Sequence, residues 1–239
     1  MIFVIGAVRN SNDAVILTGS ANPFLLKMTK KDIVIFFASM ELLRDKSFPA
    51  FLDRLPYTSI ILDLDEGFYQ IADSFKVTKR FGSRAYIYSD SAYVIADSGM
   101  YTIKNYKIMM TSIGFSEAKY DLKYNARSDI QRRRFRNAFE RYGMKADYVI
   151  SNTAPHKIFK KMQMSGTFDY NGIFLDRFLR RAEFKSWFFA YPHRERIVDE
   201  KFFCKSHLFT PLNVLELDTG EPEPTDHIEP FSYYLRYFG

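Results

Sequence analysis

Four arginines crowd into five positions of this chain, Arg132, Arg133, Arg134 and Arg136. A guanidinium binds phosphate through a planar fork that meets two oxygens at once, and each phosphate neutralised releases a condensed counterion. Six more cations lie between residues 157 and 181: Lys157, Lys160, Lys161, Arg177, Arg180 and Arg181. The chemistry these ten would support is capture of a polyanion, with nucleic acid the expected partner. The plainer alternative is a solvated surface whose charges are met by neighbouring carboxylates.

A second set of residues is acidic. Asp63 and Asp65 close the apolar run that begins at Ser59, and Asp90 closes the run Ala85 to Ser89. If these runs are neighbouring parallel strands, the three carboxylates emerge at one C-terminal edge, where open α/β sheets place their sites. Oxygen ligands suit Mg²⁺, and an ion held there could activate water to cleave a phosphate ester. The alternative is aspartates that only end strands and turns.

Two local resemblances point toward hydrolysis. Ile60-Ile-Leu-Asp63-Leu-Asp65-Glu-Gly67 resembles the first motif of haloacid-dehalogenase-type phosphatases, which implies Asp63 as nucleophile and Asp65 as acid/base. Glu66-Gly67-Phe68 departs from the ending of that motif. Ile87-Tyr-Ser-Asp90-Ser-Ala-Tyr-Val-Ile95 is similar to the Thr-Asp-Ser strand of ribonuclease H folds, but the 24 residues between Asp65 and Asp90 are too few for the elements that family needs there. Each likeness covers fewer than ten residues.

Other chemistry is poorly represented. His156, His193, His207 and His227 do not fall at metal-ligand spacings, and neither a glycine-rich phosphate loop nor a G-x-S-x-G elbow is present. Cys204 is the one cysteine, which excludes an intrachain disulfide and the sulfur-rich zinc patterns. A reducing, cytoplasmic setting is expected. No apolar run approaches the ~20 residues a membrane span requires, so no membrane partner is expected.

Charge is unevenly distributed. Residues 1–100 hold 11 Lys and Arg against 11 Asp and Glu, residues 101–205 hold 22 against 11, and residues 206–239 hold 1 against 6. The basic middle invites an anionic partner, and the acidic end can compete for that same surface. With 24 Phe and 16 Tyr, much of the core must consist of packed rings.

The elements that must position these groups are expected as follows. Ile2–Val8 and 14–18 read as a hairpin, 29–44 as a mostly buried helix, 59–65 as a buried strand, 66–77 as a helix, and 85–89 as a strand completing a βαβ unit. Alternation over 85–110 predicts antiparallel strands. Ser128 reads as the N-cap of the arginine helix and Gly143 as its left-handed terminator, with Phe135, Ala138, Phe139 and Tyr142 facing inward. Asn152 or Thr153 is expected to cap a second helix, and Asn171-Gly172 to open a third.

The expected class is α+β: a mixed sheet with flanking helices over 1–115, a basic helical part over 116–205, and an acidic, proline-rich tail over 206–239 whose aromatic end, Phe231–Phe238, docks on its own domain or on another chain. The expected function is a non-catalytic, intracellular nucleic-acid-binding accessory factor. A Mg²⁺-dependent nuclease or phosphohydrolase using Asp63, Asp65 and Asp90 is the alternative, and an assembly subunit, homo-oligomeric or bound to a protein partner, is a third.

Overall fold

A computed structural model describes residues 1–64, 67–113, 122–162, 170–190, 196–199, 201–205 and 210–211, with 122–127, 196–199, 203–205 and 210–211 described by their backbone. The chain is α+β, with mixed sheets and flanking helices.

Strands β1 (Ile2–Val8), β2 (Ile33–Ala38) and β3 (Thr58–Asp63) are apolar runs buried along almost their whole length. Such runs belong to parallel sheets covered on both faces, and the three pair in parallel, with β6 (Ala92–Ile95) parallel on the far side of β3. The antiparallel strands β5 (Ser83–Ser89) and β4 (Lys76–Arg80) extend this edge, and β13 (Thr210–Pro211) lies against β1 at the other. The second sheet runs β11 (Arg196–Asp199), β12 (Phe202–Lys205), β10 (Ser186–Ala190), β9 (Tyr148–Ser151), β8 (Tyr106–Thr111), β7 (Gly99–Ile103). Its four central strands are also parallel.

The two sheets face each other. Val4, Ile35, Ile60 and Leu62 of the first pack with Tyr101, Ile108, Tyr148 and Phe188 of the second in one buried cluster. The outer face of the first sheet is covered by α1 (Ser11–Ala14), α2 (Met40–Arg44), α3 (Phe48–Asp53) and irregular turns. The outer face of the second carries α4 (Leu122–Arg141), α5 (His156–Lys161) and α6 (Tyr170–Asp176). The result is four layers, helix, sheet, sheet, helix, with three apolar seams.

Several expectations are corrected. Residues 29–44 hold a strand followed by a short helix, because Ile33, Val34, Ile35, Phe36 and Phe37 form a six-residue β-branched and aromatic run with Ala38. Ser39 then starts α2 by accepting the Leu42 amide. The expected hairpin after β1 is replaced by α1, since the Asn10 side chain accepts from the Asn12 and Asp13 amides. Residues 66–77 contain 3-10 turns at Phe68–Gln70 and Ala72–Ser74, with Phe68 and Ala72 buried. No βαβ unit joins β3 to β5, because β6 lies between them and β5 is antiparallel to it.

The boundary expected near residue 115 falls inside one sheet, where β8 pairs with β9 over Ile108↔Tyr148 to Thr111↔Ser151. Residues 116–205 are therefore not purely helical; they supply β9, β10, β11 and β12. The expected tail, including Phe231–Phe238, lies outside the described residues apart from β13. No helix among the described residues is long and apolar enough to cross a membrane.

Candidate nucleic-acid interface

Helix α4 carries the arginine cluster. It begins at Leu122, so Ser128 is an interior, buried residue and not a cap. Its end is as expected: Gly143 has φ +64, its amide donates to Glu140 O, and the Met144 amide returns to Phe139 O at 2.8 Å. Phe135 and Phe139 are fully buried and pack against Phe178, the first edge-on and the second stacked, fixing which side of α4 faces the sheet. Ala138 packs at the margin of that core and Tyr142 is largely exposed.

The four arginines divide by role. Arg132 is half-buried and donates to Asn171 of α6 at 2.6 Å and to Asp129. Arg134 forms an ion pair with buried Asp97. Arg133 and Arg136 are exposed and make no ion pair among the described residues.

Helix α5 starts after Pro155, not at an Asn152 or Thr153 cap. Ile158 and Phe159 are buried, while Lys157, Lys160 and Lys161 are exposed. Arg177, Arg180 and Arg181 are exposed on the turns that continue α6. α5 and α6 pack closely and α6 also meets α4, so the three basic elements lie side by side in one layer. At the usual 8–10 Å between packed helices, the layer is about 20 Å across, the axial rise of about five to six base pairs. Over 128–162 and 170–185 it holds 13 Lys and Arg against 5 Asp and Glu. Of those acids, Asp129 and Glu183 are already paired, with Arg132 and Lys145. Among the described residues, Arg133, Arg136, Lys157, Lys160, Arg177, Arg180 and Arg181 are not neutralised by an ion pair.

Asp63 and Asp90 are not brought together. The Ser59 amide donates to Ser91 O at 2.8 Å, which places Asp90 near the start of β3. Asp63 lies four residues further along that strand, about 13 Å away at ~3.3 Å per residue, whereas two oxygens on one Mg²⁺ sit roughly 4 Å apart at most. Asp63 and Asp90 thus do not fit a shared ion. Asp63 is fully buried and its Oδ2 accepts the Phe68 amide at 2.7 Å. Asp65 lies outside the described residues. Among the described residues no group of three His, Cys, Asp or Glu is placed to hold a metal.

Two buried polar junctions escaped the sequence reading. Asp97, between β6 and β7, accepts from Tyr69 at 2.6 Å and Gln131 at 3.1 Å, and Arg84 Nε lies 3.4 Å from its other oxygen. Burial first, then the Asp97 charge, pushes the Tyr69 phenol well above the ordinary tyrosine range. Asn152, after β9, donates to the carbonyls of Asp63, Leu64 and Ser112, tying together the C-terminal ends of β3, β8 and β9. Its only sequence signal was an Asn after an apolar run, which equally suits a helix cap.

This arrangement defines a four-layer α+β protein with a basic helical face. No protein-family model, no characterised protein and no solved structure matches the chain.

Proposed function

We propose that this protein binds nucleic acid through its phosphates, across the layer formed by α4, α5 and α6, as an accessory or regulatory factor without catalysis of its own. The observation that carries the proposal is the set of seven exposed cations on three adjacent elements, free of internal ion pairs among the described residues. The backbone that carries these cations is already ordered, so binding costs them side-chain rotamer freedom but no further folding. Phosphate contacts position a protein without reading sequence, so the proposal concerns affinity and leaves base preference to other groups.

Fluorescence anisotropy of the full chain with a labelled duplex DNA and with RNA of the same sequence tests it. Reversing Arg133 and Arg136 together to Glu weakens binding at least tenfold, while reversing Lys27 and Lys46, exposed on the segments that cover the outer face of the first sheet, does so much less. Equal losses from both pairs would reduce the effect to net charge and remove the assigned surface.

A further inference from the structure

Positive charge also lies beside α4 at the β4–β5 edge of the first sheet. Asp97 is bracketed by two guanidinium groups, Arg134 from α4 on one oxygen and Arg84 from β5 at 3.4 Å from the other. Both are substantially exposed, at 41% and 47%, so the bracket is open to solvent. The two arginines come from different layers and are held beside each other by one carboxylate.

Arg84 leads on to a further cation. It is paired with Lys79 across the antiparallel strands β4 and β5, and directly opposed residues share a sheet face with Cβ atoms about 5 Å apart. Like charges in that position are unfavourable for the sheet, and Lys79 makes no ion pair among the described residues. Arg84 is further held by Tyr86, whose hydroxyl it meets at 2.8 Å and whose ring lies 5.1 Å from its Cζ.

The hairpin that carries this pair is rigidly placed. Phe81 and Gly82, its two loop residues, have φ +55 and +81, the tight turn whose twist suits paired strands. Phe81 O accepts the Thr102 amide of β7, which fastens the loop to the second sheet.

We infer that the β4–β5 hairpin is a second phosphate-contacting element, with Lys79 and Arg84 continuing the path of a nucleic-acid backbone that leaves α4 at Arg134. The inference rests on the nucleic-acid reading above and adds the direction in which the bound strand runs. It also accounts for an opposed Lys79–Arg84 pair that the sheet alone would not favour.

The test uses the full chain, labelled duplex DNA and RNA, and the Lys79→Glu variant, with Lys27→Glu as a control of equal charge. Lys79→Glu places opposite charges across the hairpin, so its thermal midpoint is unchanged or raised. Its affinity falls about tenfold and its plot of log K against log salt is shallower by about one, while Lys27→Glu leaves that slope unchanged. Wild-type binding with Lys79→Glu indistinguishable from Lys27→Glu would overturn the hairpin contact and leave the helical face standing. Absence of wild-type binding to either probe would overturn the underlying reading, and this inference with it.

Discussion

Gln131 Oε1 accepts the Ser98 amide at 2.6 Å, and the same side chain donates to Ala96 O at 3.2 Å. One residue of α4 thereby holds the segment by which the chain crosses from the first sheet, at β6, to the second, at β7. Gln131 is 2% exposed and Ser98 7%, so neither group has water as an alternative partner. Arg134, one turn along, engages Asp97 in the same segment, so the helix that presents the arginines is fixed to both sheets.

Replacing Gln131 with Leu preserves much of the shape and removes these bonds. The Ser98 amide is left buried without a partner, and the expected cost is about 2–3 kcal/mol. Urea denaturation of the variant checks this; a change of a few tenths would show that α4 is held chiefly by Phe135 and Phe139.

Asn152 offers a sharper comparison. Its amide faces three carbonyl oxygens, those of Asp63, Leu64 and Ser112. Asn152→Ala costs about 2 kcal/mol through lost hydrogen bonds. Asn152→Asp puts a carboxylate against the same oxygens and is the more damaging at pH 7, recovering in part as acid protonates it. Equal midpoints for the two variants would contradict this geometry.

Asp53 gives a pH-dependent outcome. Burial tends to raise its pKa, but hydrogen bonds from the Ser89 and Ser91 hydroxyls and the Ser91 and Asp90 amides outweigh it, and the net shift is downward. A lowered folded-state value means stability that is fully present above the unfolded pKa, near ~3.9, and is lost as pH falls through the folded value. Asp53→Asn should therefore be less stable than the wild type by about 1–2 kcal/mol from pH 5 to 8. The gap narrows as pH falls below about 4, which unfolding curves at several pH values would reveal.

Local features of the fold were legible in the sequence to different degrees. Gly143 ended α4 as expected, because only a left-handed residue closes a helix that way, and Phe135 and Phe139 were buried as their spacing required. Residues 33–38 form a strand where a helix is expected, because a short continuous apolar run has no periodicity to separate the two; its β-branched content is the better guide. The expected meeting of Asp63 with Asp90 is ruled out for a topological reason. Asp63 and Asp90 both end apolar runs, but β5 runs against β6, so those runs point to opposite edges, and no local signal carries that direction. The pairing of β8 with β9 is likewise a contact between distant segments, with α4 inserted between them.

The most direct test of the central claim is the salt dependence of nucleic-acid binding by the full chain. Neutralised phosphates release counterions, giving a slope of log K against log salt of about −0.9 per contact. Binding with a slope of about −4 or steeper, made shallower by about two in the Arg133→Glu/Arg136→Glu variant, is the predicted result. A flat salt dependence, or a slope unaltered by reversing those two arginines, would contradict the account.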